Sequence, residues 1–253
     1  MGSTAIALIV FAGVFGGALL GMFLRTVMPE HHLSDDSKDV VKVVTGLVAT
    51  LSALVLGLLI ASAKSSFDTV NDEFRQGAAK VILLDRVLAQ YGPEAKAVRD
   101  LLRSALAAKV ALLFPEDKSK GAGLKALQGA AQVETIEERL RALSPANDAQ
   151  RSLQSRALQL AADVEEMRWL GLEQAHSSMP TPFVAVLVCW LALMFLGFGL
   201  FAPRNAVALG ALVVGALSVS TAVFLIEELN DPLGGSITIS SAPLRSALAN
   251  IGK

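Results

Sequence analysis

The stretch from Val40 to Tyr91 constrains the fold of this chain more than any other. Its first half includes residues 43–63, which are mostly apolar and carry no charged side chain. At ~1.5 Å per residue, a helix over this stretch can cross a bilayer core of ~30 Å. Its second half is amphipathic, with a seam of apolar residues and one glycine at alternating steps of three and four: Phe67, Val70, Phe74, Gly77, Val81, Leu84, Leu88 and Tyr91. This spacing is typical of an a/d helical seam.

No proline interrupts this stretch, and the first strong stop signal is the pair Gly92-Pro93. We therefore predict one continuous helix of roughly 50 residues, or ~75 Å. It would leave the membrane at Lys64 and continue into water, and it is the natural candidate to line whatever the protein encloses.

Four apolar blocks are long enough to span a membrane: residues 4–24, 43–63, 183–202 and 206–226. The apolar content of 53% is concentrated in these blocks, which separates a membrane protein from an apolar soluble one. No basic residue precedes the first block and no cleavage site follows it before Arg25, so we predict a retained helix rather than a signal peptide. The single cysteine, Cys189, excludes a disulfide framework.

The segment between the second and third spans, residues 64–181, is predicted to be all helix. Pro93 suits the first turn of a second helix, at 94–113, and a weaker helix follows at 124–143. Ser144-Pro145 then predicts the start of a long helix that leads to the third span. The predicted fold class is an all-α membrane protein with four transmembrane helices. Its helical bundle continues from the second span and leads into the third.

We predict three regions along the chain. Residues 1–63 hold transmembrane helices 1 and 2, residues 64–181 form the bundle, and residues 182–253 hold helices 3 and 4 with a C-terminal tail. Of the 22 lysines and arginines, all but Arg25, Lys38, Lys42 and Arg204 lie on the side that holds the termini and the bundle. By the positive-inside rule, this predicts a multi-pass protein of the bacterial inner (plasma) membrane, with termini and bundle in the cytoplasm.

The C-terminal tail carries two local patterns. Residues 236–240 alternate like a short strand or an extended segment. Leu244, Leu248 and Ile251 then mark a short amphipathic helix, which could lie on the membrane surface or dock on the bundle. We predict docking.

A mixed stripe on the second span is the candidate pore lining, because a pore needs a small or polar face or a hydrophobic gate. Its members are Thr45, Ala49, Ser52, Leu56, Leu59, Ser62 and Ser66, with a constriction expected near Leu56 and Leu59. The alternative is that the hydroxyl groups bond to carbonyls of their own helix. No ionisable residue lies mid-span, which argues against a proton relay.

Two clusters of polar side chains resemble metal sites in composition. The first consists of His31, His32 and neighbouring aspartates, and the second consists of Glu227, Glu228 and Asp231, whose oxygens could hold Ca²⁺. A polar interhelical loop and interfacial charge explain both clusters without a metal. We therefore expect no cofactor and keep Ca²⁺ at the second cluster as the alternative.

Signs of enzyme or nucleic-acid chemistry are lacking in the sequence. HExxH, GxSxG, Walker and GxGxxG motifs do not occur, so we predict that the protein is not an enzyme. The net charge of −1 gives no reason to expect nucleic acid as a partner.

Several long strings, in order along the chain, resemble the bacterial bestrophin-like membrane family. They include LLDRVLAQYGPEA, FLGFGLFAPRNA and ALSVSTAVFLIEELNDP, and the resemblance runs from about His32 to Leu248. It implies a link to the bestrophins, which are oligomeric and mostly pentameric anion channels with the second span lining the pore. The family pattern has an acidic residue at Asn230 and an aromatic one at Leu233. Bestrophins also carry aromatic residues in the pore neck, and the second span here has none.

We therefore predict an oligomeric bestrophin-like ion channel with the second span lining its pore. Its partners would be the lipid bilayer, small ions and further copies of the same chain. The alternative is a non-conducting, membrane-anchored scaffold or sensor that acts through its cytoplasmic bundle. A central pore lined by residues 45–66 would favour the channel, and a second span in lipid-facing or intrachain packing would favour the scaffold.

Overall fold

The computed structural model describes residues 2–29, 35–114, 136–174 and 181–252, with side chains throughout except at 35–37, 168–174 and 181–182. They form α1 (Ser3–Val27), α2 (Asp35–Tyr91), a 3₁₀ turn (Pro93–Ala95), α3 (Lys96–Leu113), α4 (136–141), α5 (Asp148–Gln174), α6 (Thr181–Phe201), α7 (Ala206–Asn230) and α8 (Ala242–Asn250). These ranges contain no strand. Four helices, α1, α2, α6 and α7, are long and apolar enough to cross a membrane, which confirms the predicted fold class.

The chain divides into two compact units. The membrane unit comprises Met1–Phe67 and Ser178–Ile237, and the bundle unit comprises Asp68–Ser177 and Thr238–Lys253. α2 contributes its first half to the membrane unit and its second half to the bundle unit. The C-terminal tail, which we grouped with the last two spans, belongs to the bundle unit from Thr238 onwards.

α2 is one continuous helix, as predicted, and it is 57 residues long. It begins at Asp35, a little before the predicted stretch, and ends at Tyr91. Gly92 follows with a φ of 129°, a conformation that residues with a side chain rarely adopt. Pro93 then opens the 3₁₀ turn. The Gly-Pro pair therefore ends the helix in the manner that the sequence indicates.

Glycines bring α1 and α6 of the membrane unit into close contact. A methyl group on Gly17 would lie 2.6 Å from the carbonyl oxygen of Ala192, and methyl groups on Gly21 and Gly199 would overlap main-chain atoms of the facing helix. Because only hydrogen fits at these positions, the two backbones approach closely. Such packing is a main source of helix association in lipid, where burial gives little driving force.

The core of the membrane unit consists of apolar side chains from α1, α6 and α7. Val14, Leu187 and Ala216 are fully enclosed. A buried hydroxyl adds a polar link, since Ser220 Oγ of α7 donates to the carbonyl oxygen of Ala7 in α1 at 2.6 Å. α2 reaches this core along one face only, through the partly buried Val55, Leu56 and Leu59.

The core of the bundle unit joins α2, α3, α4, α5 and α8. The predicted seam of α2 supplies Val81, Leu84, Leu88 and Tyr91, all of which are buried. α8 inserts Leu244 and Ala247, and Ile251 follows them into the same core. α8 also packs against α3, which confirms that the C-terminal helix docks on the bundle.

The predicted start of α5 at Ser144-Pro145 is wrong, since the helix begins at Asp148. The Asn147 side chain accepts a hydrogen bond from the Gln150 backbone N–H at 2.8 Å, as an N-cap residue does. The Gln150 side chain in turn donates to the carbonyl oxygen of Tyr91 at 2.9 Å, which ties this start to the end of α2.

Two further predictions concern residues 236–240 and residues 124–143. Residues 236–240 contain no strand: the chain bends at 236–237 and has no regular secondary structure at 238–240. Most of the helix predicted at 124–143 lies outside the described residues, and its last part coincides with α4.

A buried aspartate ties three elements of the bundle unit together. Asp85 of α2 is 1% exposed. Its carboxylate accepts bonds from Arg99 Nε at 2.8 Å and Arg99 Nη2 at 3.0 Å, and from the Gly252 backbone N–H at 3.3 Å. The hydrogen bond to Asp85 is the main cause that raises the pKa of Arg99 above its ordinary value. The carboxylate therefore holds α3 and Gly252, which lies beyond the end of α8, on α2.

Replacing Gly21 by alanine tests the contact between α1 and α6. The added methyl group would overlap Leu196, so we expect a loss of about 1–3 kcal/mol in unfolding free energy. Gly13→Ala is the matched control, because a methyl group there has nothing within 4 Å and alanine favours a helix by up to ~1 kcal/mol. The midpoints of thermal unfolding in one detergent give the comparison. Equal midpoints for the two variants would contradict the packing.

Removing Arg99 tests the buried ion pair. Arg99→Gln leaves the Asp85 charge enclosed without its partner, which typically costs about 3–5 kcal/mol. We expect a lower unfolding midpoint and faster proteolysis within residues 238–252. Arg86→Gln is the control, because Arg86 is an exposed cation next to Asp85 in sequence. Equal protease resistance of the two variants would show that the pair does not hold the tail.

Candidate pore helix and acidic turn

α2 is the least enclosed of the four candidate spans. Only 6% of the most apolar 18-residue segment of α2 is buried within the chain. For the corresponding segments of the other three spans the buried share is 22–28%. Large apolar side chains such as Val43 (73%), Leu47 (62%) and Leu54 (61%) are mostly exposed. Apolar surface on this scale has to be covered by lipid or by another protein surface.

The residues predicted to line a pore divide into two groups. Five are buried or half-buried against their own chain: Thr45, Ala49, Ser52, Leu56 and Leu59. Ser52 is 2% exposed, and a methyl group on Gly197 of α6 would lie 3.2 Å from Thr45 Oγ1. The other two, Ser62 and Ser66, are exposed. The pore-lining role of the stripe stays a prediction.

The opposite face of α2 is open and carries small, apolar and hydroxyl side chains. At helical spacing along it lie Thr50, Leu54, Gly57, Ala61 and Ser65, all of them exposed. Thr50 Oγ1 donates to the carbonyl oxygen of Gly46 at 2.9 Å, so this hydroxyl does bond to its own helix. A methyl group on Gly57 would meet no heavy atom within 4 Å. We did not single out this face in the sequence, although its residues recur at the same helical spacing of three and four as those of the predicted stripe.

The acidic cluster at the end of α7 stabilises a turn. α7 runs to Asn230, one turn beyond its predicted end, so Glu227 and Glu228 are helical. Glu228 is 3% exposed, and its Oε2 accepts the backbone N–H groups of Ser236 and Ile237, the latter at 3.2 Å. This carboxylate therefore fixes the chain that leaves the helix.

The third acidic residue of the cluster acts in the same turn. Asp231 Oδ1 accepts the Gly234 backbone N–H at 3.0 Å. Within the described ranges, no three His, Cys, Asp or Glu side chains are grouped so that they could hold a metal ion. Ca²⁺ binding by Glu227, Glu228 and Asp231 stays a prediction without geometric support. His31 and His32 lie outside the described residues.

Comparisons with known proteins agree with this architecture. The sequence matches the bestrophin-like domain over residues 12–244. A comparison with curated proteins gives no match.

Two solved structures are similar to the whole fold. One is a bacterial bestrophin homologue from Klebsiella pneumoniae with a single mutation, with 15% identity over 94% of this chain and 98% of that one, and a TM-score of 0.63. The other is a membrane protein with a single mutation, with 16% identity over 94% of this chain and 96% of that one, and a TM-score of 0.60. At such identities the likeness shows the fold.

The family match and the fold agree with each other. Together they suggest an ion channel. Because the domain match covers most of the chain, the resemblance seen in the sequence is confirmed: the protein belongs to the bestrophin-like family.

Proposed function

We propose that this protein is an oligomeric ion channel of the bacterial inner membrane and that α2 lines its pore. The observation that carries the proposal is the open apolar surface of α2, the least enclosed of the four spans. Copies of the chain arranged around a common axis would cover part of this surface and enclose a lumen. A pentamer, with the termini and the bundle in the cytoplasm, is the arrangement that we propose from the resemblance to bestrophins and the distribution of basic residues.

The open face of α2 is the proposed lining. A side chain enclosed by its own chain, such as Ser52, cannot also face a lumen shared between copies. On the open face, Thr50, Gly57 and Ala61 leave room, while Leu54 supplies an apolar ring that could gate by dewetting. Ser62 and Ser66 of the predicted stripe are open as well and lie towards the end of the span.

Charge selection in such a pore would arise outside the apolar stretch of α2. Residues 43–63 carry no ionisable side chain and no aromatic ring. Rings of charged side chains select ions by sign in many channels, and this stretch offers none. The resemblance to bestrophins implies anions, and flux under different salts measures the ion class directly.

Thiol labelling tests which face of α2 meets ions. In a Cys189→Ser background, no other cysteine is present. We expect a small charged thiol reagent to reduce flux through reconstituted Ala61→Cys protein severalfold, because the modified side chain would narrow the lumen. Ser52→Cys is the matched control, since position 52 is enclosed by the chain and we expect little reaction there.

Three outcomes separate the alternatives in this experiment. Block of Ser52→Cys without block of Ala61→Cys would return the pore to the stripe first predicted. Flux that neither cysteine affects would move the pore away from α2. A folded oligomer that stays silent under varied voltage, Ca²⁺ and membrane tension would contradict conduction, and it would favour a scaffold or sensor acting through the bundle.

A further inference from the structure

Two arginines donate to main-chain carbonyl groups of each other's segments at one end of the membrane unit. Arg25, in the last turn of α1, donates from Nη1 to the carbonyl oxygen of Ala202, just beyond the end of α6. Arg204, between α6 and α7, donates from Nη2 to the carbonyl oxygen of Met22 in α1 at 3.2 Å. Both arginines therefore lie where two spans end and a third begins.

Both side chains at this place are cations, and they lie next to helix ends that carry partial charges. A helix contributes about −0.5 charge at its C-terminus and about +0.5 at its N-terminus. α1 and α6 end here, and α7 begins here, where the Asn205 side chain accepts the Ala208 backbone N–H at 2.8 Å. These helix ends offset only part of the two arginine charges. In the described part of the chain, neither Arg25 nor Arg204 forms an ion pair with a carboxylate.

Hydrogen-bond donors remain at this place beyond those already used. A guanidinium group has five N–H donors, and each of these contacts uses one. Both arginine side chains are exposed. The first backbone N–H groups of α7, at Ala206 and Val207, have no carbonyl partner within their own helix. Planar guanidinium groups bind phosphate through paired hydrogen bonds, and helix N-termini favour the same anion.

We propose that Arg25 and Arg204 bind the phosphate of an anionic phospholipid headgroup. Free phosphate has the same chemistry, but the site lies at the ends of three candidate spans, where headgroups meet a membrane protein. Arg25 belongs to α1 and Arg204 to the turn between α6 and α7, so a lipid bound there would also hold α1 against this turn. This proposal is independent of whether the protein conducts ions.

Lipid-dependent stability of the purified, full-length protein tests the proposal. In neutral detergent, phosphatidylglycerol should raise the unfolding midpoint and remain bound in native mass spectrometry. Net-neutral phosphatidylcholine and inorganic phosphate at the same concentration should not do so. The double variant Arg25→Gln/Arg204→Gln should bind phosphatidylglycerol at least roughly ten-fold more weakly, because it lacks two charge-assisted contacts.

Two further variants keep the result interpretable. Lys42→Gln removes an exposed cation that pairs with Asp39 near the start of α2, and it should leave lipid binding unchanged. Arg25→Lys/Arg204→Lys keeps the charges and a capping donor at each position but lacks the planar fork, so its affinity should be intermediate. If the wild-type protein retains both lipids equally, the proposal is overturned. Unchanged affinity in a folded double glutamine variant would overturn it too, as would equal stabilisation by inorganic phosphate.

Discussion

The continuity of α2 is the constraint on which the rest of this structure depends. In lipid, a spanning segment must satisfy its own backbone hydrogen bonds, and a helix does so without partners. The same helix then supplies the seam of the bundle core, with Leu84 and Leu88 enclosed. One backbone therefore serves two apolar cores, and the stop at Gly92 sets where the next element begins. Because α2 joins the membrane core along one face only, its remaining surface is the part of the molecule that most requires a partner.

Buried polar groups in this protein act as links between distant segments. Asp85 holds α3 and Gly252 on α2, Ser220 joins α7 to α1, and Glu228 holds the chain that follows α7. Each group is enclosed and has main-chain partners or an ionic partner, which is the condition under which burial of a polar group is tolerated. Such groups specify which segments meet, whereas apolar contacts mainly supply the driving force.

The spans, the continuous helix and the seam could be predicted from the sequence, because local composition and spacing determine these features. It could not tell which face of α2 packs within the chain. In lipid, an enclosed side chain and a lipid-facing one are equally apolar, so Ser52 and Thr50 look alike to any pattern of hydropathy. The pairing of Asp85 with Arg99 was missed for a different reason. Asp85 follows the seam residue Leu84, and a charge next to a seam gives no hint of its distant partner. The carboxylates of Glu228 and Asp231 suggested a metal, but backbone N–H groups of the following turn are their partners.

The proposed function requires that the open faces of several α2 helices together surround a pore. The most direct measurement is an experimental structure of the oligomer in a lipid nanodisc, determined without imposed assumptions about subunit number. We predict a ring of α2 helices around the symmetry axis, with Thr50, Leu54 and Ala61 facing the axis and Ser52 enclosed within each subunit. An assembly in which α2 faces surrounding lipid, with a different span or no open channel at the axis, would contradict it.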